Sequence, residues 1–309
     1  MSVMPALTVL GVPSSAGAFA PGQELAPAAL REAGLLERLR AAGMEVHDLG
    51  DSPVWRWRPD RDHPRAQNLG AVAQTARDTA GRVEQALAQD AALLVLGGDC
   101  TIELGTLGGH VARGEDVGLI YFDLHPDLNT PASVPTGTFD WMGMAHALAL
   151  DGAEPELVGF GPRTPLLDDR QVLFFSYGPE QARAFEREQL EHRDLARVPV
   201  DRVAADPEGS ADRALREFGS RFERLAVHFD VDVVNFSDEP LSENAGRGEG
   251  LALDVAMRAL RVLLGSERLS ALTVTELNPL HGEEDGRTLR RFADALTESL
   301  VNTPAPRSG

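Results

Sequence analysis

Short, almost continuously apolar runs alternate along this chain with longer amphipathic patterns, and that alternation limits the folds open to it. The clearest runs are 7–12, 91–96, 118–122, 225–229 and 269–275, with weaker ones at 44–49, 157–160 and 171–175. Helical periodicity occupies 27–42, 69–89, 181–192, 212–224, 253–264 and 288–301. A strand that is apolar on both faces must be buried on both, so such strands, each followed by a helix, predict a parallel sheet with helices on either side. The fold class is therefore α/β: a three-layer αβα sandwich around a mostly parallel sheet of about eight strands, which one open sheet can hold. No linker divides the chain, and residues 1–302 read as one domain. Residues 303–309 read as a flexible C-terminal tail. The Pro- and Arg-rich stretch 51–64 reads as a surface loop. The Gly-, Ser- and Glu-rich stretch 237–250 reads as a long loop of the kind that borders active sites in such folds.

The charge balance narrows the class of function. Acidic residues number 48 against 29 basic ones, a formal net charge of −19, and every basic residue is arginine. So acidic a chain is a poor partner for nucleic acid or for an anionic membrane. Cys100 is the single cysteine, which rules out a disulfide within the chain. No run approaches the roughly 18 apolar residues of a membrane span, and the opening residues lack a signal-peptide pattern. The expectation is a cytoplasmic protein acting on a small molecule.

Carboxylates gather at the ends of the apolar runs. One strand leads into Asp123, His125 and Asp127, and another into Asp230 and Asp232. Residues two apart on a strand share a face, so Asp123 and His125 point the same way, as do Asp230 and Asp232. Ligands of open α/β sheets bind at the carboxyl ends of the strands. Four carboxylates and an imidazole converging there would repel one another unless cations compensated them. A pair of divalent ions does so, and a mixed oxygen and nitrogen donor set suits manganese while also accommodating zinc, iron or nickel. A set of strand-end aspartates acting only as helix caps is the structural alternative, and it accounts poorly for D-x-H-x-D and D-x-D together. His228 lies one step deeper on the strand of Asp230 and reads as a core group or as a support for the ligands.

Three segments resemble the arginase–agmatinase (ureohydrolase) family, which carries G-G-D-H, D-A-H-x-D and S-F-D-x-D motifs in this order. Here they read Gly97-Gly98-Asp99-Cys100, Asp123-Leu124-His125-Pro126-Asp127 and His228-Phe229-Asp230-Val231-Asp232. The opening 11–39 resembles the family's first strand, glycine-rich turn and helix, and Glu276-Leu277-Asn278-Pro279 resembles its E-x-N-P motif. The resemblance implies an arginase-like fold and a centre for two Mn2+ ions per chain. Asp123 and Asp230 would bridge the ions, His125 and Asp232 would complete one position, and Asp127 would join the other with whatever Cys100 contributes. It implies a hydrolase that uses metal-activated water to cleave a C–N bond of a guanidino compound. Glu276 would anchor the guanidinium, and Asn129, Thr130 and Thr136 would bind the far end of the substrate. It also implies a homo-oligomer, a trimer or hexamer.

The chain departs from the family at three places. Cys100 stands at a histidine ligand position, where it is either a thiolate ligand or a small buried thiol, and it resembles amidinohydrolases of antibiotic pathways that act on hydroxylated arginine. The proton-shuttling histidine position is filled by Asp140 or, with a shifted alignment, by Met142; His146 nearby reads as structural. Of the residues that hold the substrate's amino group, Glu180 is the only remnant. These departures keep three functions in view. The first is an amidinohydrolase acting on a guanidino or hydroxyguanidino compound. The second is a catalytically reduced, metal-binding member of the fold. The third is a formiminoglutamate-type hydrolase.

Overall fold

In the computed structural model eight strands form one sheet, β1 (Ala6–Gly11), β2 (Glu45–Asp51), β3 (Ala92–Leu96), β4 (Val117–Phe122), β5 (Val172–Tyr177), β6 (Ala196–Pro199), β7 (Arg224–Asp230) and β8 (Leu269–Thr275). The structure describes residues 6–89, 91–243 and 248–301. The expected tail 303–309 lies outside these residues, as do positions 244–247 of the expected loop at 237–250. All strand pairs are parallel, in the order β2-β1-β3-β8-β7-β4-β5-β6.

Alternate residues of the central strands feed two apolar layers. Ile120, Phe122, Val227, Phe229, Leu272 and Val274 pack with the helices Ala26–Glu32, Leu35–Ala41, Leu253–Leu264 and Arg287–Val301. Leu119, Tyr121, Phe174 and Ala226 turn the other way, toward the helices Ile102–Ala112 and Gly143–Ala147. Helices thus cover both faces, as apolar strands require.

Several elements differ from the sequence reading. The run 157–160 is not a strand, because Pro155 opens the short helix Pro155–Val158 instead. The eighth strand is β6, whose residues are half-buried or exposed at the sheet edge and so carry little apolar signal. The helical pattern at 27–42 is two helices, broken at Gly34, whose φ of +83° an L side chain would resist. The pattern at 212–224 begins earlier, at Pro207, with the Asp206 side chain capping Gly209 N–H. Helix Ile102–Ala112 carries three glycines and lacks a polar face, which hides its period: Gly105 and Gly109 pack against Thr79 and Val83 of the helix Leu69–Ala86 too closely for a side chain.

Candidate metal centre

β3, β8, β7 and β4 are consecutive in the sheet, and their carboxyl ends deliver the acidic residues to one place. Cys100 follows β3, Asp123 to Asp127 follow β4, Asp230 ends β7 and Glu276 follows β8. Asp127 and Glu276 have left-handed backbones, with φ of +47° and +61°. Such conformations cost non-glycine residues about 1–3 kcal/mol and concentrate at functional sites.

Among the described residues three groups hold donor atoms within 4.8 Å of one another: Asp123 with His125 and Asp232, Cys100 with Asp123, His228 and Asp230, and Cys100 with Asp140 and Glu276. His125 Nδ1 lies 3.0 Å from Asp232 and 3.5 Å from Asp123. Backbone N–H groups of His125 and Asp232 donate to Asp123 and Asp230, at 2.7 Å each, fixing both carboxylates. The Cys100 thiol donates to Asp230 Oδ2 at 2.9 Å. Tyr121 donates its hydroxyl to Asp127 at 2.6 Å.

The electrostatics ask for cations. Burial, followed by repulsion from neighbouring carboxylates, raises the pKa values of Asp123, Asp127, Asp230 and Glu276. Burial, then Asp230, pushes the Cys100 thiol well up. Burial opposes the His125 imidazolium, but Asp232 and Asp123 outweigh it and raise its pKa well above the usual value. No arginine among the described residues pairs with Asp123, Asp127, Asp140, Asp230 or Glu276. Asp123 Oδ2 and Glu276 Oε1 are buried without a hydrogen-bond partner among the described residues. A carboxylate oxygen left that way is costly unless a cation meets it, so the donor set fits divalent metal.

Of Asp140 and Met142, the two residues expected at the shuttle position, the structure brings Asp140 to the acidic cluster. A short 3-10 turn, Phe139–Met142, buries Met142 in an apolar cluster with Phe139 and Leu157. Asp140 instead accepts the Cys100 N–H at 2.8 Å and shares a cluster with Cys100 and Glu276. Burial, then Asp99, raises its pKa well above the carboxylate range. His146 is structural: Nδ1 faces the Met142 carbonyl at 2.7 Å, Nε2 accepts from Glu154 N–H at 3.0 Å, and burial lowers its pKa to about 4. Asp99 holds backbone, accepting from Gly17 and Thr101 N–H groups.

Beside the acidic cluster opens a cavity of about 230 Å³ lined by His125, Asp127, Asn129, Trp141, Gln181, Arg183 and Glu186. Of the expected substrate-binding residues, Asn129 lines it. Thr130 and Glu276 are buried and do not, and Thr136 and Glu180 are exposed outside the lining. Gln181, Arg183 and Glu186 went unremarked in the sequence; only their place after the fifth strand could have flagged them. Glu186 is occupied by Leu128 and Arg183 N–H groups, while the Arg183 guanidinium lies 5.0 Å over the Trp141 ring.

Comparison with known proteins agrees with this geometry. A model of the arginase family matches residues 5–301. The arginase of Bacillus caldovelox is 28% identical over 292 residues, covering 91% of this chain and 94% of its own length. Human arginase-1 is 27% identical over 304 residues, covering 97% and 94%. The crystal structure of the B. caldovelox arginase superposes with a TM-score of 0.85, covering 97% of this chain and 99% of that one at 26% identity. The Bacillus subtilis formimidoylglutamase shares the fold, with a TM-score of 0.71 at 19% identity. By sequence and by fold, this chain belongs to the arginase family.

Proposed function

We propose that the protein is an amidinohydrolase that cleaves a C–N bond of a guanidino or hydroxyguanidino compound at a two-cation centre. Cys100, Asp123, His125, Asp127, Asp230 and Asp232 would hold the ions, with manganese the family's metal. Divalent metal at such a centre supplies water acidic enough to ionise near neutral pH.

The chain's own groups divide the remaining work. Glu276 receives the guanidinium, its buried Oε1 being the acceptor that an N–H group would satisfy. Asp140, beside Glu276 and with its pKa raised by burial and then by Asp99, is the group placed to hold the proton that the departing amine needs. Asn129 and Arg183 grip the far end in the cavity. Glu186 is already engaged, so the cavity mouth offers a carboxylate better recognition than it offers an ammonium. The family also favours assembly as a homo-oligomer, a trimer or hexamer.

The observation that carries this reading is Glu276. It is buried, has an unpartnered oxygen, sits on a left-handed backbone and belongs to the cluster with Asp140 and Cys100. A metal site that served only stability would have no use for that carboxylate. The test is a substrate panel of arginine, N-hydroxyarginine, agmatine, guanidinobutyrate and formiminoglutamate, assayed with manganese. Turnover of at least one guanidino compound is expected. Turnover of formiminoglutamate alone, or of none of the five, would overturn the reading.

A further inference from the structure

His228 stands in the second donor cluster although a position deep in β7 reads as core. It is fully buried, two residues before Asp230 and on the same face of the strand. Its Nε2 lies 3.5 Å from Cys100 Sγ and 3.2 Å from Thr275 Oγ1. Its Nδ1 faces Glu103 Oε2 at 3.4 Å, and its ring stacks on Tyr121 at 4.2 Å between centroids, 8° from parallel. Glu103 is itself buried, and its other oxygen, Oε1, has no partner among the described residues.

This arrangement gives the imidazole a defined role. A carboxylate at Nδ1 favours the proton there and leaves Nε2 the lone-pair nitrogen, which faces Thr275 Oγ1 and Cys100 Sγ, as in carboxylate-supported histidine ligands. Sulfur and nitrogen bound to one tetrahedral metal, at about 2.3 and 2.0–2.1 Å, stand roughly 3.5 Å apart. The observed Sγ to Nε2 separation is 3.5 Å. Asp123 and Asp230 donors complete the group within 4.8 Å. The cysteine at position 100 is shorter than a histidine, and the His228 ring reaches toward it from β7, two strands away from β3 in the sheet.

We propose that His228 is a metal ligand that acts with Cys100, and that Glu103 positions it. The inference rests on the two-cation reading above and deepens it. Soft sulfur with two imidazoles across the centre directs preference toward zinc or cobalt and away from manganese.

The full-length protein, stripped with chelator and reloaded with two equivalents of zinc, tests this by X-ray absorption and by chelator competition. Averaged over two ions, the wild type should show about one imidazole per zinc, from His125 and His228. His228→Gln should halve that count and weaken one zinc by more than tenfold. Glu103→Gln should keep the count and weaken the same zinc about 10- to 100-fold. His146→Gln, a buried histidine elsewhere, should change neither. Thermal unfolding of each metal-free variant reports whether it folds. If His228→Gln does not fold, the wild-type count and Glu103→Gln decide. About half an imidazole per zinc in the wild type, or full affinity in both folded variants, overturns the proposal while leaving the metal centre intact. Absence of any bound zinc or manganese overturns the two-cation reading with it.

Discussion

Replacing Asp123 by asparagine should stabilise the metal-free protein at pH 8 while destroying its hold on metal. Asp123 has donor atoms of Asp230 and of Asp232 within 4.8 Å, in two overlapping clusters, and His125 as a partial counter-charge. At an effective dielectric of about 20, two unit charges at that separation repel by roughly 3–4 kcal/mol. Two such repulsions, offset by one attraction of similar size, leave about 3 kcal/mol, and proton uptake reduces this to about 2–3 kcal/mol. Asparagine keeps the oxygen that accepts His125 N–H and gives the partnerless Oδ2 position a donor. Extrapolating to a chain of this size, about 2 °C per kcal/mol gives a rise of about 4–6 °C in Tm. The folded-state pKa of Asp123 is raised by burial and then by Asp232. Its protonated form therefore favours folding at low pH, and that stability is lost as pH rises from the unfolded value near 3.9 through the folded one. The gain from asparagine should be largest at pH 8 and should shrink at pH 5. Metal should reverse the order: at 100 times Kd the wild type gains about 2.7 kcal/mol and the variant far less. Calorimetry of both proteins, chelated and metal-loaded, at the two pH values measures all four effects. A chelated variant less stable than the wild type at pH 8, or a gain equal at both pH values, would refute the reasoning.

Four other outcomes follow from the same geometry. Glu276→Gln should lower kcat/KM on every guanidino substrate at least tenfold with metal content unchanged, measured by product release and metal analysis. Asp140→Asn should cost about 10²–10⁴-fold in kcat, less on a hydroxylated guanidine than on an ordinary one, because the former leaves a less basic amine; in the wild type, activity should fall as pH rises through the raised Asp140 pKa. Arg183→Ala should raise KM for carboxylate-bearing substrates and leave kcat nearly unchanged, since Arg183 lines the cavity and belongs to none of the donor groups. Cys100→His should shift metal preference toward manganese, read by competition between manganese and zinc.

The sheet and most of the acidic cluster were legible because both arise from short-range pattern. An apolar run followed by D-x-H-x-D tells where the strand ends and which side chains share a face. The same logic failed for β6, a short edge strand with exposed residues, and for the helix Ile102–Ala112, whose glycines serve contact with another helix. Asp140 and Met142 could not be separated by spacing, since a 3-10 turn decides which of them is buried in apolar surroundings. Glu180 was the only visible acid in its loop, yet the chain turns so that Gln181 and Arg183 face the cavity. The Glu103–His228 pair links positions 125 residues apart on a helix and a strand, and no local pattern joins them. No helix among the described residues is long and apolar enough to cross a membrane.

The most direct test of the two-cation centre is the metal content of the purified chain after incubation with excess manganese and removal of free ions. The account predicts between one and two divalent ions per chain in the wild type and none in the Asp123→Ala, Asp230→Ala double variant. A wild-type chain that is folded and carries no metal after that treatment would contradict it.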